Sequence, residues 1–191
     1  MRNELFKYKT IAEYLLVEDK TLIDIVLQNV APKKVISISY QGNYYDLKPR
    51  VNDLFQLEYK WIIKIKQSLQ INTLNSVKEI ISAVFPLHTD MQFFNCSVFD
   101  VFAAYAWIIE EMEVIAEAEM QKLYKKPTQK QINAGIEEFD QLDDIPAIDG
   151  LANGDLEKWE KVLEQPYGKV MRKMLLSRIQ SEYDEQYMKA K

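Results

Sequence analysis

Between Val98 and Ile115 the apolar residues fall three or four apart: Val98, Val101, Phe102, Tyr105, Ile108, Ile109, Met112 and Ile115. On a helix of about 3.6 residues per turn they merge into one broad apolar face. The spacing predicts a long helix over about 97–124, opened by Ser97 and wide enough on its apolar side to be the central core helix.

Shorter stretches of the same period surround it. Thr10 with Glu13 three residues on reads as a capping box. Leu22, Ile25, Val26 and Val30 share the next helical face, which Ala31-Pro32 ends. Leu54, Leu57, Trp61, Ile65 and Leu69 make a third, and "NSVKEIISAVFP" a fourth, closed by Pro86. The stretch "PLHTDMQFFNC" reads as a loop. Pro127 suits the first turn of a helix carrying Ile132, Ile136 and Phe139. Beyond the acidic loop, "PAIDGLANGD" is a helical turn stopped by Asn153-Gly154, with Asp155 capping the next helix. Leu156, Trp159, Val162 and Leu163 then share a face. Pro166 starts a last helix bearing Tyr167, Val170, Met174 and Ile179, with Leu175 beside them.

One segment alternates instead. In "KKVISISYQGNYYDL" Ile36, Ile38 and Tyr40 are interleaved with Ser37 and Ser39, and Gly42-Asn43 precedes a second aromatic run. This predicts a hairpin near 34–47, with Gly42 leading a type II′ turn. A hairpin alone is marginal in water, so it must lie on the helices or pair with another strand. The expected fold is mainly α, an irregular multi-helix bundle around the long helix with one small hairpin. An N-terminal lobe over 1–72 and a helical lobe over 73–191 would form one compact unit.

Composition narrows the functional classes. Five glycines, six prolines and 28% charged residues favour helices over a sandwich or barrel. With 24 Lys and Arg against 29 Asp and Glu the net charge is −5. The basic residues are scattered, which argues against nucleic acid as a main partner. "VFAAYAWII" is too short to cross a bilayer, so no membrane partner is expected. Glu4, Lys7, Lys9 and Glu13 interrupt any leader-like apolar run, pointing to a cytoplasmic protein. The single cysteine, Cys96, allows no internal disulfide and agrees with a reducing compartment.

Candidate chemistry is sparse. His88, the only histidine, precedes Cys96 by eight residues, yet no nucleophile turn surrounds them; a loop histidine and a small buried thiol account for both. Glu110, Glu113 and Glu117 share one side of the long helix, but a di-iron bundle needs Glu-x-x-His on two helices; an exposed acidic face is the plainer reading. Glu137, Glu138, Asp140, Asp143, Asp144 and Asp149 do not follow an EF-hand spacing, which leaves a polar connection or an acidic docking rim for a basic partner. The glycines form neither a dinucleotide nor a Walker loop. No catalytic residue, metal or cofactor is expected, and the chain reads as no enzyme. Trp159, Tyr167 and Met171 in the C-terminal ribbon, and Tyr44, Tyr45 and Phe55 near the hairpin, are core residues or anchors for a protein partner.

"SVFDVFAAYAWIIEEMEVIAEAEMQKLY" followed by "KPTQKQINAGIEEFDQLDDIPAIDGLANGDLEKWEKVLEQPYGKVMRKMLL" resembles the small helical tail-assembly-chaperone-like proteins of tailed phages and prophages of Bacteroidetes-type bacteria. The likeness covers about Ser97 to Tyr183 and rests on an "AGIE-F" helix, a "DxLAxGD"-like turn, a "W-x-x-VL-x-x-PY" step and a basic-apolar last helix. It leaves the N-terminal hairpin unmatched. It implies a cytoplasmic factor in a bacterial host that binds and solubilises a tape-measure-like protein, or delivers tail-tube protein to it. The alternative is a structural adaptor or connector of the phage particle. On this resemblance the last helix, with Lys169, Arg172, Lys173 and Arg178, is a binding arm. The candidate partner-binding residues are Trp159, Tyr167, Met171, Arg172 and Met174.

Overall fold

Caps and breakers written into the chain set several element ends in the computed structural model, which describes residues 9–71 and 73–190. Glu4 and Lys7, part of the argument against a leader, lie outside the described residues. In chain order the elements are α1 (Ile11–Leu15), α2 (Thr21–Leu27), β1 (Ile36–Tyr40), β2 (Asn43–Leu47), α3 (Tyr59–Leu69), α4 (Leu74–Val84), α5 (Asp90–Phe94), α6 (Val98–Lys122), α7 (Gln129–Asn133), α8 (Ile145–Ala152), α9 (Trp159–Leu163) and α10 (Tyr167–Lys189). Single 3-10 stretches occupy Leu54–Gln56, Ile136–Leu142 and Leu156–Lys158. The fold is mainly α with one small hairpin, as the periodicity predicts.

The chain divides into two compact units, Met1–Leu54 with Lys64–Met112, and Phe55–Ile63 with Glu113–Lys191. The division expected between 72 and 73 falls inside the first unit. There α3 and α4 are tied together, the buried Ser68 hydroxyl donating to Glu79 Oε2 at 3.0 Å. Helices α3 and α6 are each shared between the units.

In the first unit, Thr10 and Glu13 form the capping box of α1, and Thr89 with Gln92 forms another that turns part of the expected 86–96 loop into α5. The hairpin pairs Ile36 with Leu47 and Tyr40 with Asn43. Its central residues are therefore Gln41 and Gly42, both left-handed at φ 51° and 78°. That is the type I′ form, whose twist matches the strands, and not the II′ turn led by Gly42. The free edge of β1 is used: Ser39 donates its N–H to Asn95 O (2.9 Å), and Ser97 donates to Ser37 O (2.7 Å). The far side of that short segment takes Ile11 N–H on Cys96 O (2.9 Å). The outer edge of the hairpin is thus covered by a single antiparallel bridge, Ile38 to Cys96, in the residues just before α6.

Asp100, in the first turn of α6, accepts the Ser37 N–H (3.0 Å) and Lys33 Nζ (2.7 Å). Val98, Val101, Ile108, Met112 and Ile115 are buried as the stripe requires, joined by Trp107. The Trp107 ring meets Phe85 edge-on at 6.4 Å and carries Lys34 Nζ 4.7 Å above it. One predicted face is displaced and another holds in part. In α2 the buried residues are Ile23 and Leu27, while Leu22, Ile25 and Val26 are exposed. Of the stretch expected to lead into α3, Leu54, Leu57 and Ile65 are buried as the period requires, Trp61 and Leu69 are only half-buried, and Tyr59 and Ile62 are buried as well. Both segments are apolar on more than one side, and packing, not period, selects the side that is covered.

In the second unit the helix expected after Pro127 is cut short. Thr128 caps α7 with Gln131, and Gly135 at φ 81° breaks it into the Ile136–Leu142 3-10 stretch. Ile132 and Phe139 consequently form no shared buried face and stay exposed. The ribbon beyond it matches its caps: Asn153 and Gly154 turn left-handed to end α8, Gly154 N–H bonding Asp149 O at 3.0 Å, and Asp155 accepts the Glu157 N–H at 3.1 Å.

Candidate partner-binding surface

Pro166 cannot donate a hydrogen bond, so α10 begins at an obligatory break. Its first turn is fastened to the chain at 55–59. Tyr59 N–H donates to Gln165 O (2.9 Å) and Tyr167 N–H to Leu57 O (2.8 Å), a short antiparallel bridge centred on Glu58 and Pro166. Gly168 permits this approach, because a Cβ there would lie 3.2 Å from Phe55 O and 3.3 Å from Phe55 Cβ.

Aromatic rings fill the joint. Tyr167 stacks on Tyr59 with centroids 5.6 Å apart and on Phe55 at 6.2 Å. Each phenol donates to a carboxylate, Tyr59 to Asp144 Oδ1 at 3.1 Å and Tyr167 to Glu119 Oε1. Burial first, and then these carboxylates, raise both phenols far above their ordinary range. Near neutral pH both phenols are therefore protonated donors. The pair is a polar clasp that sets the direction of α10.

Beyond this clasp α10 changes character. Tyr167, Val170 and Met171 are buried, whereas Leu176, Ile179, Tyr183 and Tyr187 are half or more exposed. Their spacing of three, four and four keeps them in one row about 17 Å long. The Tyr183 and Tyr187 rings stack at 6.2 Å, and Met188 is exposed on a different side of the helix. Lys125 Nζ holds the helix from another side, 3.7 Å from Glu182 and 4.0 Å from Glu185. Basic Lys169, Arg172, Lys173 and Arg178 precede acidic Glu182, Asp184 and Glu185 along its length.

The five candidate partner-binding residues therefore do not share one surface. Tyr167 and Met171 are core residues, 1% and 5% exposed. Trp159 is half-buried and donates its indole N–H to Asp149 Oδ1 at 3.3 Å, tying α9 to α8. Met174 is half-buried, and Arg172 is exposed. The outer row has a spacing that is plain in the sequence, but its exposure is seen only in the structure.

The remaining candidates are separated. His88 is exposed, while Cys96 is buried, its thiol donating to Gln92 O at 3.3 Å and pushed up to about 12 by burial and then by Asp100. Glu110, Glu113 and Glu117 are exposed along α6. No described helix is long and apolar enough to cross a membrane. Tyr40, Tyr44 and Tyr45 are exposed on the hairpin, whereas Phe55 is half-buried against Tyr167. Compared with protein-family models, with curated proteins and with solved structures, the chain has no match.

Proposed function

We propose that this chain is a non-enzymatic assembly factor that binds another protein through the outer half of α10. In line with the resemblance of Ser97–Tyr183, its partner is a tape-measure-like protein of a phage or prophage tail, kept soluble in the cytoplasm of the bacterial host. One observation carries the reading: the row Leu176, Ile179, Tyr183 and Tyr187 is exposed on a helix whose first turn is clamped. A clamped base loses little entropy when its tip is covered, which favours binding. Apolar rows of this spacing receive a partner's amphipathic helix edge to edge, and Tyr is frequent among the residues that dominate such contacts.

Co-expression with a long helical tail protein and affinity capture of the complex test the proposal. The full chain should yield a soluble complex, and Ile179→Glu with Tyr183→Glu should lose it while the chain's melting curve stays put. Capture undiminished by these substitutions would move the contact elsewhere. Absence of any complex, with a discrete homo-oligomer by light scattering, would favour the structural adaptor.

A further inference from the structure

A groove of about 340 Å³ runs along the second unit, bordered by α8, the Leu156–Lys158 turn, α9 and the start of α10. Leu151, Val162 and Val170 supply its apolar wall. Four lysines border that wall in a chain of net −5, and Asp155 faces both Lys158 and Lys161. Lys158 and Lys169 are engaged locally, with Asp155 and with the Gln165 side chain, each at 2.7 Å. Lys161 and Lys173 are exposed at the rim. An occupant must place apolar groups on the wall and anions at the edge, since cations facing an apolar ligand alone would be desolvated without return.

The same unit carries a segment of that chemistry. In and just after the Ile136–Leu142 stretch, Glu137, Glu138, Asp140 and Asp143 are exposed and alternate with exposed Phe139 and Leu142. Gly135 and Asp143, both at positive φ, bracket it as a turn. The groove volume falls in the range, about 300–1,000 Å³, of clefts that enclose groups of side-chain to small-ligand size. We propose that the protein associates head to tail, the acidic turn 136–143 of one copy seated in the lysine-bordered groove of the next. Such a contact joins two different patches, so each added copy leaves one groove and one turn open, and growth stops only where a ring closes.

Sedimentation velocity of the full chain over a wide concentration range, at low and high salt, tests this. The wild type should grow with concentration and associate at least about tenfold more weakly at high salt, because rim charges are screened. Lys161→Glu with Lys173→Glu, and separately Glu137→Lys with Glu138→Lys, should each sediment as a monomer. Mixed in equal amounts, the intact turn of the first variant meets the intact groove of the second, and the reversed charges of the other contact also face each other with opposite sign, so association should return. That rescue also shows both variants to be folded. Lys161→Ala with Lys173→Ala, and Phe139→Ser, provide milder versions, and each should weaken growth. A wild type that stays monomeric at every concentration overturns the proposal, as does a mixture that stays monomeric. So do oligomers that persist in either charge variant, or that disappear only in Ile179→Glu, since these would place self-association on α10.

Discussion

Gly168 and Gly150 show how one residue type has opposite roles in the second unit. A methyl group at Gly168 would press on the Phe55 backbone, whereas at Gly150 nothing lies within 4 Å and the backbone is ordinary helix. Gly168→Ala should therefore cost about 1–3 kcal/mol by overpacking the α10 joint. Gly150→Ala should raise stability by about 0.5–1 kcal/mol through helix propensity. Urea titration of the two variants checks the pair, and equal effects would contradict the close approach at Phe55. Trp159→Ala should cost about 2 kcal/mol, since it removes both a half-buried ring and the Asp149 bond between α8 and α9. An unchanged urea midpoint would show that the indole does not hold that junction. In each case the sequence names a glycine or a tryptophan in a ribbon, and only its neighbours give the sign of the effect.

At the scale of elements, ends were more legible than faces. Thr10-Glu13, Asn153-Gly154, Asp155 and Pro166 act on backbone groups within a few residues of themselves, so their consequences are local and readable. The covered side of α2, and part of that of α3, depends on residues remote in sequence, so the period alone does not give it. The hairpin was placed correctly, but its turn was set by the Tyr40–Asn43 register and not by the identity of Gly42 alone. Helix α10 is the element where this matters most. Its row from Leu176 to Tyr187 has the spacing of a core face, and the buried part stops at Met171. Replacing Ile179 and Tyr183 by Glu should therefore change the unfolding free energy by no more than about 0.5 kcal/mol per site, as at exposed positions. A loss several times larger in thermal or urea melts would mean that the row is covered within the chain itself.

For the molecule as a whole, the buried and half-buried phenols and the buried thiol predict an alkaline limit. Tyr59, Tyr167 and Tyr105 titrate above their ordinary range, Tyr14 is pushed up to about 12 by burial and Asp24, and Cys96 likewise reaches about 12. Below the unfolded values both states keep these protons and the contribution is whole. Above them the unfolded chain releases its protons first, so unfolding sheds protons and stability falls as pH rises. The urea midpoint should begin to drop above about pH 9, where an unfolded cysteine ionises, and steepen above about pH 10, where tyrosines ionise in turn. Tyr59→Phe with Tyr167→Phe should make that limb shallower while lowering stability near neutrality, because Asp144 and Glu119 lose their donors. An unaltered alkaline slope would remove the clasp from the account. The sequence by itself determined the features that depend on near neighbours: a mainly α chain, the long helix α6, the hairpin, and the stops and caps of the 145–167 ribbon. Tertiary structure alone decided which side of each helix is covered, where the chain divides into units, and that Tyr59 and Tyr167 meet across more than a hundred residues of chain. The physical reason is that caps and turns close hydrogen bonds over a few residues, whereas burial is won between segments far apart, and a period of three and four reads the same on a covered face and on an open one.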